Sequence, residues 1–345
     1  MKSFSRGILA LIIVSAILLL SDLQNRNKKK VLQQPVSSVE SKAVTGRKFA
    51  LVHYVDSPNS EDCEKGIRKA FEDKNLKEGI DYTFKVYNAQ GDISTLSSIA
   101  GAIGNETWDL VFALSTPTVQ LLVKKLPESK IVFTNVGDPQ AAGLGKSFEE
   151  HLPNVCGVST MSDFDGLIKL VLSLHPGLKR IGTVFTPAEI NSVSYKDHLD
   201  AAAKLQGVKL VAVPANSATE VLDAANSLVA RKIDAFCQIS DNLTGSCCAA
   251  ILKVSRDSKV PFYGFVTKLI QQGAVAVCAR DYYQAGYETG EMGIEVLSGK
   301  DPAKINYHNV GKTDYLVNEA AARQFNVNLP EQIFTSFPNL KLSKP

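Results

Sequence analysis

Residues 109–136 read DLVFALSTPTVQLLVKKLPESKIVFTNV. Two runs, DLVFALS (109–115) and KIVFTNV (130–136), are largely apolar without strict alternation. That is the pattern of strands buried on both faces by helices. Between them, 117–125 reads as a helix, with Thr116 placed to cap it and Pro117 at its first position. A strand, a crossover helix and a second strand make a parallel βαβ unit.

The unit repeats outward in both directions. Towards the N-terminus lie FALVHYV (49–55) and YTFKVYNA (82–89), and VCGVS (155–159) closes the first set. A second set follows: RIGTVFT (180–186), KLVAVPA (209–215), AFCQIS (235–240), VPFYGFV (260–266) and AVAVCAR (274–280). The other helical stretches are 59–77, 92–105, 163–174, 192–206, 217–232, 243–257 and 282–298. Two sets of strands meeting near Ser159–Asp165 predict an α/β protein of two doubly wound parallel-sheet lobes, since one open sheet of ten strands is rare. Ligands in such folds sit beyond the carboxyl ends of the strands, where helix N-termini converge. With two lobes, that place is the cleft between them.

The strand ends carry recognition chemistry. Asp56 and Ser57 follow the first strand, Ser115 and Thr116 the third, and Asp138 the fourth. In the second set, Glu189, Asn191 and Ser192 follow RIGTVFT, where Asn191 is placed to cap the helix from Ser192. Asp241 and Asn242 follow AFCQIS. The hydroxyls and free N–H groups at Ser115–Thr116, or those at Asn191–Ser192, suit a ligand carboxylate. Glu189 and Asp241 suit a ligand ammonium. Each also has a plain structural reading, as a helix cap, an Asp-Pro turn or a solvated loop.

Composition removes other classes. The 345 residues are 45% hydrophobic and 21% charged, which excludes both disorder and a polytopic membrane protein. The net charge of +3 comes from residues 1–48, which hold nine Lys/Arg and two Asp/Glu, leaving 29 basic against 33 acidic residues beyond. A slightly acidic body does not suit nucleic acid. No phosphate loop, nucleophile elbow or complete dinucleotide fingerprint occurs. The five histidines show no metal-ligand spacing, and the six cysteines show no C-x-x-C. Cys156, Cys237 and Cys278 fall inside strands as small hydrophobes, and Cys247 and Cys248 adjoin on a helix. The expectation is a binding protein without cofactor or metal, and not an enzyme.

Lys2 and Arg6 precede GILALIIVSAILLL (7–20), the form of a secretory signal. Residues 1–23 read either as a cleaved signal peptide or as an uncleaved signal-anchor that would hold the chain at the inner membrane through 7–23. Leu19 and Leu20 stand where a cleavage site wants small residues. No Cys precedes Cys63, so no lipid attachment is expected. Residues 24–48 read as a flexible tether.

The body resembles the solute-binding proteins of ABC transporters, specifically the TrpX-like family with its type I periplasmic-binding-protein fold. The resemblance rests on YNAQGD (87–92), STPTVQ (115–120), IVFTNVGDPQAAGL (131–144), NVCGVS (154–159), EINS (189–192), Asp241-Asn242 and DYYQAG (281–286). It covers about 49–335, and the FTNVGDPQAAGL and DYYQAG blocks are the most specific.

The resemblance implies an importer component that captures a small ligand, an amino acid or aromatic amino-acid-like compound, by lobe closure. It implies a periplasmic or extracytoplasmic location, a permease and its ATPase as partners, and a monomer. Export is expected on this ground, although Arg26 and Lys28–Lys30 after the apolar run favour the opposite orientation. It also implies crossings near Ser159, Arg280 and Gly311–Tyr315. The N-terminal lobe is then 49–159 plus about 282–312, and the C-terminal lobe 160–281 plus about 313–345. Family members usually carry an acidic residue after the glycine of FYG (262–264); Phe265 stands there instead, which implies a more apolar pocket. The alternative is a ligand-sensing module of the same fold held at the membrane by an uncleaved anchor.

Overall fold

The computed structural model describes residues 46–343. The leader, and the tether up to residue 45, lie outside the described residues. The last tether residues belong to the fold: Arg47 and Lys48 open the first strand, and Asp109 holds them through the Arg47 guanidinium (2.5 Å) and the Lys48 N–H (2.8 Å).

The first sheet is built from β1 (Arg47–His53), β2 (Tyr82–Asn88), β3 (Leu110–Leu114), β4 (Ile131–Val136) and β5 (Val155–Ser159). They alternate with α1 (Pro58–Asp73), α2 (Ile93–Gly104) and α3 (Thr116–Lys125). The second set is α4 (Phe164–Leu174), β6 (Arg180–Phe185), α5 (Ile190–Leu205), β7 (Lys209–Pro214), α6 (Ala218–Ala230) and β8 (Ala235–Gln238). It continues with α7 (Asn242–Ser246), α8 (Cys248–Ser258), β9 (Phe262–Gly264) and β10 (Ala276–Arg280). The chain then runs through α9 (Tyr282–Leu297), β11 (His308–Asn309), β12 (Thr313–Asn318), α10 (Glu319–Gln324), α11 (Ile333–Ser336) and β13 (Leu340–Ser343).

Strand order is β11-β5-β4-β3-β1-β2 in one sheet and β13-β12-β10-β9-β8-β6-β7 in the other. The fold is thus α/β with two doubly wound sheets, as the repeated βαβ pattern predicts. Every residue of β3 and β5 is buried, which is why those runs are apolar on both faces. The second sheet is not wholly parallel: β12 pairs antiparallel with β10, Ala276 opposite Val317. The chain leaves β10 at Arg280 and re-enters the sheet at Thr313, directly opposite Arg280, so β12 runs back along β10 in the reverse sense.

An aromatic cluster fills the face of the first sheet under α1. Phe49 lies 5.3 Å from Phe71 and 6.1 Å from Phe112, and Phe71 lies 4.8 Å from Tyr82 (ring centroids). Such tilted and edge-on pairs each contribute about 0.5–1.5 kcal/mol beyond their buried area. Helix α9 then lies directly on α1. A Cβ on Gly286 would fall 2.0 Å from the Cys63 carbonyl oxygen, and one on Gly66 would fall 2.1 Å from the Tyr283 carbonyl oxygen. Only glycine lets these backbones touch.

The chain passes between the sheets at 160–163, at Asp281 and at 310–312. Side chains join these segments. Arg280 Nε donates to the Met161 carbonyl (2.7 Å), its guanidinium also reaches Thr313 Oγ1, and Met161 N–H donates to Asn309 Oδ1 (3.3 Å).

Three local expectations need correction. Thr116 does not cap α3: Ser115 is the cap residue, and Thr116 is already helical. Asn191 does not cap α5, which starts at Ile190 with Glu189 in the cap position. The stretch 243–257 is not one helix; it breaks at Cys247, so Cys247 and Cys248 do not share a helix. All six cysteines are free, and Cys247 alone among them is not fully buried.

Candidate functional site

The carboxyl ends of both sheets face each other across a cleft. Its enclosed part is a chamber of about 70 Å³. Ser57 reaches it from the end of β1, Ser115 and Thr116 from β3, and Asn135 from the last turn of β4. From the second lobe come Asn191 on α5, Gln238 at the end of β8, Ser240 and Asp241 after it, and Asn242 at the start of α7, with Val266 after β9. A larger open chamber of about 570 Å³ adjoins it and is bordered by Tyr54, Pro117, Thr186, Glu189 and Asn242.

The ten residues singled out from sequence therefore separate. Ser57, Ser115, Thr116, Asn191, Asp241 and Asn242 line the enclosed chamber. Glu189 lines the open one. Asp56, Asp138 and Ser192 line neither. Asp56 is exposed, Ser192 is buried behind the wall, and Asp138 points across to α5. Reasoning from strand ends missed Asn59, Tyr195, Gln238 and Lys268, which also border the chamber. Asn59 and Tyr195 lie within helices, where turn chemistry leaves no mark. Phe265 does not border either chamber; it is buried with its ring 4.9 Å from that of Phe164.

Two backbone features mark the first-lobe wall. Ser115 has φ +90° and ψ 157°, a conformation nearly confined to glycine, and Asn135 has φ +56°. Such strain costs about 1–3 kcal/mol per residue and collects at ligand sites. It turns the start of α3 into the chamber. Helices α1, α2, α4, α6, α7, α9 and α10 each have a side chain accepting a first-turn N–H; α8 and α11 do not, and neither do α3 and α5. The uncapped N–H groups of α3 and α5 both open on the cleft, where they suit an anion.

The second-lobe wall is acidic and braced. Asp241 is buried and accepts from Ser192 Oγ (2.5 Å), Thr244 N–H (2.7 Å) and Thr244 Oγ1 (2.6 Å). Burial still raises its pKa, because three hydrogen bonds do not replace its lost hydration. Glu189 Oε2 accepts from the Asn242 side chain (2.6 Å), the Asn242 N–H (3.3 Å) and Asn191 Nδ2 (3.4 Å). Burial, and then the Asp241 charge, push its pKa up to about 7. Asn191 Oδ1 is buried without a hydrogen-bond partner. The enclosed chamber thus offers an unmet acceptor, Asn191 Oδ1, and the Asp241 carboxylate, with Glu189 on the open chamber beside it. Gln238 is the brace beneath: its Nε2 donates to Val184 and Ile239 carbonyls and to Thr244 Oγ1, and its Oε1 accepts from Val184 N–H.

The lobes touch across the cleft. Asn59 Nδ2 donates to Ser240 Oγ (3.1 Å), and Ser194 Oγ donates to Asp138 Oδ2 (2.7 Å). A Cβ on Gly137 would lie 1.7 Å from the Tyr195 hydroxyl. Among the described residues, no group of three or more His, Cys, Asp and Glu side chains is placed to hold a metal ion.

Comparison with known proteins places this geometry. The sequence profile of ABC transporter substrate binding proteins matches residues 48–339. A tyrosine-binding protein of Clostridioides difficile is 34% identical over 286 residues, covering 82% of this chain and 83% of its own. The ABC domain from Streptococcus pneumonia in complex with L-Trp superposes with a TM-score of 0.81 at 23% identity, covering 86% of this chain and all of that one. A ligand-free, open substrate-binding protein from Clostridium difficile gives 0.66 at 30% identity, covering 86% and 99%.

Proposed function

Given that the chain belongs to the ABC transporter substrate-binding protein family, we propose that its ligand is an α-amino acid held by opposite ends of the enclosed chamber. The carboxylate meets the uncapped start of α3 and the Ser115 hydroxyl. The ammonium meets Asn191 Oδ1 and Asp241. The observation that carries this reading is the pairing of an unsatisfied donor end on one lobe with an unsatisfied acceptor end on the other. A zwitterion satisfies both at once. The 34% identity to a tyrosine-binding protein supports an aromatic member of the class.

Capture works by closure. Contacts from both lobes make the ligand bind the closed form better than the open one, and only that difference shifts the equilibrium. We assign the N-terminal lobe to 46–159 plus 282–312 and the C-terminal lobe to 160–281 plus 313–343. A membrane permease reads the closed lobes on the extracytoplasmic side, and its ATPase supplies the energy. The protein acts as a monomer, delivered or held at the membrane by residues 7–23.

A thermal-shift screen of the full-length protein against amino acids, sugars and nucleosides tests the reading. A ligand bound only by the folded form adds about 2.7 kcal/mol of stability at a hundredfold excess over its Kd. Amino acids give the shift on this account. A shift with sugars or nucleosides alone overturns it.

A further inference from the structure

The enclosed chamber, at about 70 Å³, is too small for an aromatic amino acid as it stands. A cavity of about 150 Å³ is what admits a benzene ring alone. The open chamber of about 570 Å³ lies directly beside it. Asn242 borders both, and the chain passes from one wall to the other at Thr116–Pro117 and again at Ile190–Asn191. We propose that the open chamber seats the side chain of the bound amino acid and selects one ending in a hydrogen-bond donor, such as a phenol hydroxyl. This rests on the amino-acid reading above.

Its walls suit a ring: Tyr54, Pro117, Leu121, Ile190 and Leu243 supply apolar surface. Two polar side chains border it. Thr186 Oγ1 is buried, with Thr186 only 4% exposed, and has no hydrogen-bond partner. Glu189 directs all its hydrogen bonds through Oε2, leaving Oε1 to accept from a ligand. A hydroxyl at the far end of a ring donates to Glu189 Oε1 and accepts from Thr186. A plain hydrocarbon ring leaves both groups desolvated and unpaired, which is the strongest basis for rejecting an analogue.

Calorimetric titration of the full-length protein with L-tyrosine and L-phenylalanine tests this. Tyrosine binds at least about tenfold more tightly in the unaltered protein, and Thr186→Val brings the two within about threefold. Ala188→Trp, on the exposed rim of the open chamber, weakens both by at least about tenfold because it takes the space of the ring. Equal affinities in the unaltered protein, an unchanged preference in Thr186→Val, or undiminished binding in Ala188→Trp each overturns the subsite and leaves the amino-acid reading standing. Binding of no amino acid at all overturns both.

Discussion

Ser192 donates its hydroxyl to Asp241 Oδ2 across 2.5 Å while accepting the Thr186 N–H at 2.7 Å. One buried side chain thus ties the loop after β6 to the loop after β8, and both loops border the cleft. Ser192→Ala leaves the amide and the carboxylate each short of a partner. The expected cost is about 1–3 kcal/mol of stability, with weaker ligand binding because the loops lose their register. Chemical denaturation and calorimetry on the same variant check both. Unchanged stability contradicts the bracing role.

Strain at Ser115 separates stability from binding. Ser115→Gly relieves about 1–3 kcal/mol of backbone strain and gives back about 0.5–1 kcal/mol in unfolded-state entropy. The expected result is a higher melting temperature with weaker ligand binding. Ser115→Ala loses the same hydroxyl without relieving φ +90°, so its binding falls and its melting temperature does not rise. A Ser115→Gly protein less stable than the original contradicts the account.

Two carboxyls give opposite pH signatures. Glu189 is raised from 4.5 to about 7, first by burial and then by Asp241. The folded state holds this proton more tightly, so its contribution is full below pH 4.5 and is lost as pH rises through about 7. Glu64 is lowered to about 2, first by its hydrogen bond with His53 and further by Arg68. Its contribution is full above pH 4.5 and is lost as pH falls through about 2. Scanning calorimetry across pH 4.5–7 shows a declining component that Glu189→Gln removes. A decline of the same size in Glu189→Gln rules out Glu189 as its source.

Gly137 permits closure. With a methyl group placed 1.7 Å from the Tyr195 hydroxyl, Gly137→Ala presses on a ring packed in the second lobe's core and blocks the approach of the lobes. Small-angle scattering of the ligand-saturated protein shows a compact form for the original and an extended form for Gly137→Ala, with reduced affinity. Full compaction of the variant contradicts the closure geometry.

The alternating runs were legible because strands buried on both faces must be apolar throughout, and β3 and β5 are. Strands β12 and β13 were not: TDYLVN is mostly half-buried near a sheet edge, so no apolar run announces it. Position in the cleft was partly legible. Polar residues just after strands reach it by topology, which is how Ser115 and Asp241 stand out. Side-chain direction was hidden. Ser192 and Asp138 sit at the right chain positions, yet one turns into the wall and the other across to Ser194. Phe265 follows a strand glycine but packs on Phe164 and borders neither chamber. Tyr195 and Gln238 owe their places to tertiary packing, which no local pattern encodes.

The most direct test is calorimetric titration of the full-length protein with an α-amino acid that binds, beside its methyl ester and its deaminated analogue. Saturable one-to-one binding that each modification weakens by at least about tenfold, roughly 1.4 kcal/mol, is the predicted result. It means that both charged ends are held, one by each lobe. Undiminished binding of either analogue contradicts the two-ended chamber.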